Sequence, residues 1–106
     1  MQLLTQQIKA GMPKLRETES IPLDEKVARV KFFTPWTGWT WYGVEFDGED
    51  LFWGLVDGDF VEWGYFSLKE LQSVRGPLGL TIERDKFWEP KTIARVKAEE
   101  GLRGIQ

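Results

Sequence analysis

Between Lys31 and Lys69 the chain has no lysine or arginine, yet this stretch holds thirteen of its fifteen aromatic residues and seven of its seventeen acids. Apolar residues alternate there with small or polar ones, and the runs are broken by Asp47-Gly48-Glu49-Asp50 and Asp57-Gly58-Asp59. Period-two alternation sends side chains to two faces of a strand, and Asp-Gly between two such runs is a strong hairpin signal. The pattern predicts strands over Val27–Thr34, Trp39–Phe46, Leu51–Val56 and Phe60–Phe66, with Pro35–Gly38 as the first turn. Val27–Thr34 places Ala28, Val30 and Phe32 on one side and Arg29 and Lys31 on the other, as a half-solvated strand does.

Helices are few and short. Thr5 caps a helix reaching Ala10, which Gly11 and Pro13 end. Residues 16–25 form a polar connector. Ser67-Leu68-Lys69-Glu70 is a capping box opening a helix over Leu68–Val74, with Leu68 and Leu71 turned inward. Arg75–Leu80 is a rigid turn, Thr81–Glu83 a brief strand, and Thr92 caps a helix over Ile93–Glu100 that Gly101 stops. The expected fold is α+β: a four- or five-stranded antiparallel meander with short helices at the N-terminus, after the last meander strand and at the C-terminus. A chain of 106 residues builds one core, so a single domain over 1–106 is expected.

If Phe46 pairs with Leu51, one face gathers Tyr42, Val44, Phe46, Leu51, Trp53, Leu55, Phe60 and Phe66, with Glu62 intruding. The other gathers Trp39, Trp41, Phe52, Val56, Val61, Trp63 and Tyr65, and Gly43 opposite Gly54 leaves a gap between indoles. Both faces are too apolar for a sheet wetted on one side. Either helices cover the second face, or part of it binds something.

Composition excludes much chemistry. There is no cysteine and no histidine, which removes disulfides, thiolate nucleophiles, the commonest general base near neutral pH and the usual transition-metal ligands. No apolar run approaches the ~20 residues that span a bilayer, and the first ten residues lack the apolar core of a signal peptide. A cytoplasmic address, no membrane contact and no cofactor are expected. Residues 45–70 carry eight acids against Lys69 alone, a balance of −7, while each flank carries +2. Such asymmetry concerns partners rather than fold.

The partner-binding candidates are Trp36, Trp39, Trp41, Trp63 and Tyr65, with Glu62 among them. Exposed, they would anchor a partner; otherwise they pack under helices or at a dimer contact. Glu45 and Glu62 sit mid-strand, where a carboxylate pair could do acid–base work or simply meet a base or backbone donor, Arg29, Arg75 and Arg84 being at hand. Glu83, Arg84 and Asp85 form either a recognition cluster or an ion-pair knot tying the C-terminal segment to the sheet. Asp57, Asp59 and Glu62 lack a calcium loop's spacing, so no metal is expected. Gly76 and Gly79 lack the Lys-Ser/Thr of a phosphate loop.

Several stretches carry a family resemblance: Val30-Lys31-Phe32-Phe33-Thr34-Pro35; Trp41 with Glu45; Phe52–Gly58; Glu62–Leu71; Val74-Arg75-Gly76-Pro77-Leu78-Gly79-Leu80; and Ile82-Glu83-Arg84-Asp85 with Phe87. By these the chain resembles a small bacterial family of unknown function, often encoded on plasmids, phages and other mobile elements. Trp36 stands where relatives tend to carry Asp, and the turn after Asp47 is shorter than in many. The resemblance implies genomic context and carries no catalytic residue set.

Four functions follow for testing. The first is a non-catalytic accessory protein of a mobile element, binding a protein partner through the acidic, aromatic sheet surface, with a homodimer as a further arrangement. The second is a DNA mimic serving defence evasion. The third is a single-stranded nucleic-acid binder, which requires folding to bring Arg29, Lys31, Arg84 and Lys86 beside aromatics. The fourth is a carboxylate enzyme, which the missing histidine and cysteine disfavour.

Overall fold

The computed structural model describes residues 2–102. Thr5 accepts a hydrogen bond from the Ile8 amide at 3.2 Å and opens α1 (Gln6–Gly11). A polar connector with a single 3-10 turn at Leu23–Glu25 leads to β1 (Val27–Ala28) and β2 (Val30–Phe33). The meander follows as β3 (Thr40–Phe46), β4 (Leu51–Asp57) and β5 (Val61–Ser67). Ser67 caps α2 (Leu68–Ser73) by accepting from the Glu70 amide. A second 3-10 turn at Pro77–Gly79 precedes β6 (Glu83–Arg84) and β7 (Lys91–Thr92), and Thr92 caps α3 (Ile93–Glu99).

The fold is α+β. Five antiparallel strands form the main sheet in the order β5-β4-β3-β2-β6, and β1 pairs with β7 in a second sheet of two. The strand expected over Val27–Thr34 is thus broken at Arg29, whose amide still reaches the Gly43 carbonyl at 2.8 Å while Val27 and Ala28 turn to pair with Thr92 and Lys91. The expected strand at Thr81–Glu83 lies further on, at Glu83–Arg84, with Thr81 bridging Arg75.

Two register features redistribute the side chains. Gly43 faces Gly54 as expected, but Glu45 faces Trp53 and Phe46 faces Phe52, not Leu51. Val44 is therefore an extra residue, a β-bulge, which sends Phe46 to the face opposite Tyr42. In the next hairpin Asp57 pairs with Val61, so the loop is Gly58-Asp59-Phe60 and Leu55 faces Trp63. A one-residue slip inverts a whole strand. Trp63 and Tyr65 consequently lie with Trp53 and Leu55, while Glu62 lies with Val56 and Trp41, the reverse of the expected arrangement.

One face is built from Val30, Phe32, Phe46, Phe52 and Phe66 and is roofed by Leu3, Leu4, Ile8 and Met12, by Leu68 and Leu71 of α2, and by Ile82. The other, the indole face, carries Ala28, Tyr42, Val44 and Leu55 under Ile93 and Val96 of α3, with Trp53, Trp63 and Trp88 at its margins. Phe32 and Phe52 are fully buried in an edge-to-face pair with centroids 5.5 Å apart. Burial of each such side chain contributes roughly 1.5–3 kcal/mol. The gap expected between Gly43 and Gly54 is occupied: Val30 and the Phe52 ring sit against Gly43, and a Cβ on Gly54 would stand 1.9 Å from the Tyr42 carbonyl oxygen.

Candidate functional site

All six indoles are half-buried, and the sheet parts those proposed as partner contacts. Trp36 and Trp39 are seated on glycine backbone. A Cβ on Gly76 would lie 2.5 Å from the Trp36 ring, and one on Gly58 2.5 Å from the Trp39 ring. Trp41 packs against the phenylalanine core, with its ring centroid 6.0 Å from that of Trp39. These three indoles belong to packing at one end of the sheet. Trp63 and Tyr65 stand on the other face, so the six candidates do not make one surface.

Trp63 stacks on Trp53 with centroids 4.8 Å apart, and Tyr65 beside them is 60 % exposed. A groove of about 450 Å³ runs along this site, lined by Trp53 and Tyr65 and, from the connector, by Ile21, Pro22 and Leu23. Ile21 and Leu23 are themselves exposed. The groove borders β5, which pairs with β4 on one side and with no described strand on the other. Sequence reasoning named Tyr65 as a partner contact but put Trp53 on the other face, and it missed Ile21 and Leu23, because the connector has no periodicity to mark them.

Glu45 positions that connector. Its carboxylate is buried and accepts from the backbone amides of Arg16 at 2.7 Å and Thr18 at 3.1 Å, and from the Thr18 hydroxyl. The ammonium of Lys26, also buried, donates to the Thr18 carbonyl and to its hydroxyl at 3.2 Å, and stands 5.4 Å from the Trp53 ring centroid. Low surrounding polarity makes a fully satisfied network of this kind rigid. Backbone donors thus answer Glu45, whereas Glu62 stands exposed on the opposite face. The two carboxylates point to different faces and form no acid–base pair.

The other acids are dispersed. Asp47 accepts from three backbone amides of its own turn, those of Glu49, Asp50 and Leu51, where Gly48 adopts φ +93°. Those bonds, led by the Asp50 and Glu49 amides, hold the Asp47 carboxyl below its ordinary range. Asp50 receives the Ser67 hydroxyl at 2.7 Å and the Lys69 amide at 2.8 Å, which likewise lower it. Asp57 is buried at the far end of the sheet. Among the described residues no group of three or more acids is placed to hold a metal ion. No helix among them is long and apolar enough to cross a membrane.

At the opposite edge, β6 pairs Glu83 with Phe33 and Arg84 with Phe32. The Asp85 amide donates to the Lys31 carbonyl at 2.9 Å, and its carboxylate lies 4.0 Å from the Lys31 ammonium. Arg84 donates to the Gln2 carbonyl. This segment therefore ties the C-terminal part of the chain to β2 and to the N-terminal residues. Beyond it, Trp88 donates to the Ala28 carbonyl at 2.9 Å and covers Tyr42. Lys31 and Lys91 flank that indole and share the Glu100 carboxylate at 2.8 and 3.1 Å. Burial would raise Glu100, but the two lysine hydrogen bonds outweigh it and hold the group low. Burial, with Glu100 nearby, pushes the Tyr42 phenol well above its usual range. Trp88 lies outside the aromatic stretch, and no local signal marked it.

The chain belongs to the family described as protein of unknown function (DUF2958), which matches residues 3–100. No curated protein and no solved structure matches it.

Proposed function

For this member of a family of unknown function, we propose a non-catalytic accessory role for a mobile element, in which it binds an extended, basic segment of a partner protein along β5. The observation that carries the reading is the outer edge of β5. Along this seven-residue strand the alternate residues that do not bond β4 turn their backbone donors and acceptors outward, with no strand among the described residues to take them and neither Lys nor Pro in the run. A partner strand added to such an edge gains main-chain hydrogen bonds, and its alternate side chains find pockets. Tyr65, Trp53, Ile21 and Leu23 supply the apolar part of the groove, whose charged lining is balanced (Arg16 and Lys26 against Glu19 and Glu45), and exposed Asp59 and Glu62 of the last hairpin favour a cationic segment.

The test is affinity capture with the native chain and with Tyr65→Ala, followed by hydrogen exchange on the captured complex. The expected result is a partner lost with Tyr65→Ala and slowed exchange at the outward amides of Val61–Ser67. A partner that survives the substitution and leaves β5 unprotected would refute the reading. Should light scattering show a stable dimer whose β5 amides are already protected, a second copy holds the edge instead.

A further inference from the structure

We propose that the opposite corner of the molecule is a site for single-stranded nucleic acid, in which bases stack on Phe87 and Phe33 while Arg84, Lys86 and Arg29 hold the backbone phosphates. The proposal is independent of the β5 edge. A cleft of about 800 Å³ opens where the sheet ends at β6, with Phe33, Thr40, Arg84, Lys86 and Phe87 in its wall. A second cleft of about 520 Å³ on the far side of the Arg84–Lys86 segment shares those two cations and adds Arg29. Together they trace a cationic track around the edge of the sheet.

Phe87 is the most telling residue. It is 91 % exposed, in contact with little, and it is not loosely held. The Asp85 carboxylate accepts the Phe87 amide at 2.9 Å and the Asp85 carbonyl accepts the Trp88 amide at 3.2 Å, which fixes a turn with Phe87 at its outer corner. A large apolar ring presented to water from a rigid turn, with a lysine beside it and a second ring in the cleft wall, is the arrangement that captures unpaired bases. Stacking contributes wherever a π-face is available, and neighbouring cations supply the phosphate attraction. A duplex keeps its base faces covered and would leave Phe87 idle.

Two acids share the wall. Asp85 is engaged by Lys31 and by the Phe87 amide. Glu83 repels phosphate at its own position, so a base is favoured there, and its carboxylate can accept from a base N–H such as the N3–H of thymine or uracil.

Fluorescence anisotropy with labelled oligothymidylate and oligouridylate tests the site and separates DNA from RNA. Affinity is expected to fall with rising salt with a log–log slope of about −2 to −3, as three or four phosphate contacts to a single strand require. Phe87→Ala should weaken binding roughly tenfold to a hundredfold at all salt concentrations. Lys86→Ala should weaken it and reduce the slope by about 0.7. Both side chains are exposed, so unchanged thermal melting will show that the variants fold. Tyr65→Ala should leave binding intact. No binding of either oligonucleotide at about 20 mM salt, where the electrostatic attraction is strong, would overturn the proposal. So would indifference to both substitutions, or equal competition by duplex DNA, a mononucleotide or an acidic peptide.

Discussion

The two edges of the main sheet end in opposite ways. At one, β5 runs for seven residues with no further strand beside it among the described residues and with acids and aromatics around it. At the other, β6 lasts two residues, after which the chain turns away through Asp85 and leaves the Lys86 and Phe87 side chains facing outward beside a half-buried Arg84 that bonds the Gln2 carbonyl. A long bare edge recognises by main-chain pairing, whereas a truncated edge can recognise only through its side chains. One small sheet thus offers two different chemistries about four strand spacings, or roughly 19 Å, apart.

The largest test lies between the edges. Gly43, Gly54 and Gly64 stand opposite one another across β3, β4 and β5. Alanine at Gly54 must displace the Tyr42 carbonyl, a backbone atom that cannot rotate aside, and should cost about 3 kcal/mol or more in chemical denaturation. Gly64→Ala meets nothing within 4 Å and should cost under about 1 kcal/mol. Equal losses would mean that β5 is not the open border described here.

Next in size is Glu45→Ala, which strands the amides of Arg16 and Thr18 and the Thr18 hydroxyl, at a cost of about 3 kcal/mol. Because that carboxylate holds the connector beside Tyr65, partner capture should fail while oligonucleotide binding at β6 persists. Loss of both together would show that the two edges are not independent.

Acid should act on the β5 side through Asp50, which joins Ser67 and Lys69 to the first hairpin. Its folded pKa is lowered, as is that of Asp47, so their stabilisation is present above the unfolded value of about 4 and is lost as pH falls through the folded one. The Tm should therefore be level above about pH 5 and decline below about pH 4, and Asp50→Asn should flatten that limb. The smallest structural effects belong to Tyr65→Ala and Phe87→Ala, each within about 0.5 kcal/mol, with each weakening recognition at its own edge alone.

The meander, its turns and all three helix caps were legible because each rests on local chemistry: alternation, Asp-Gly, and a hydroxyl three residues before an amide. Register was not. The apolar character of Phe60 argued for including it in β5, but it is the 62 % exposed third residue of a loop, and moving one residue across that boundary inverted Trp63, Tyr65 and Glu62. The bulge at Val44 escaped for a similar reason, since it depends on what β4 places opposite. Glu45 drew attention as a mid-strand acid, yet its donors come from a connector without pattern. Phe33 and Phe87 come to line one cleft only through the β2–β6 pairing, which two residues of strand cannot announce.

The Glu45 latch also orders events in time. Residues 14–26 emerge from the ribosome before β3 and β4 exist, and the carboxylate that organises them arrives some twenty residues later. Pro13 waits similarly, its carbonyl taken by the Phe46 amide. The segment from Pro13 to Lys26 therefore owes its path to partners that follow it in the chain, and contacts of that sequence separation are the slow kind to close.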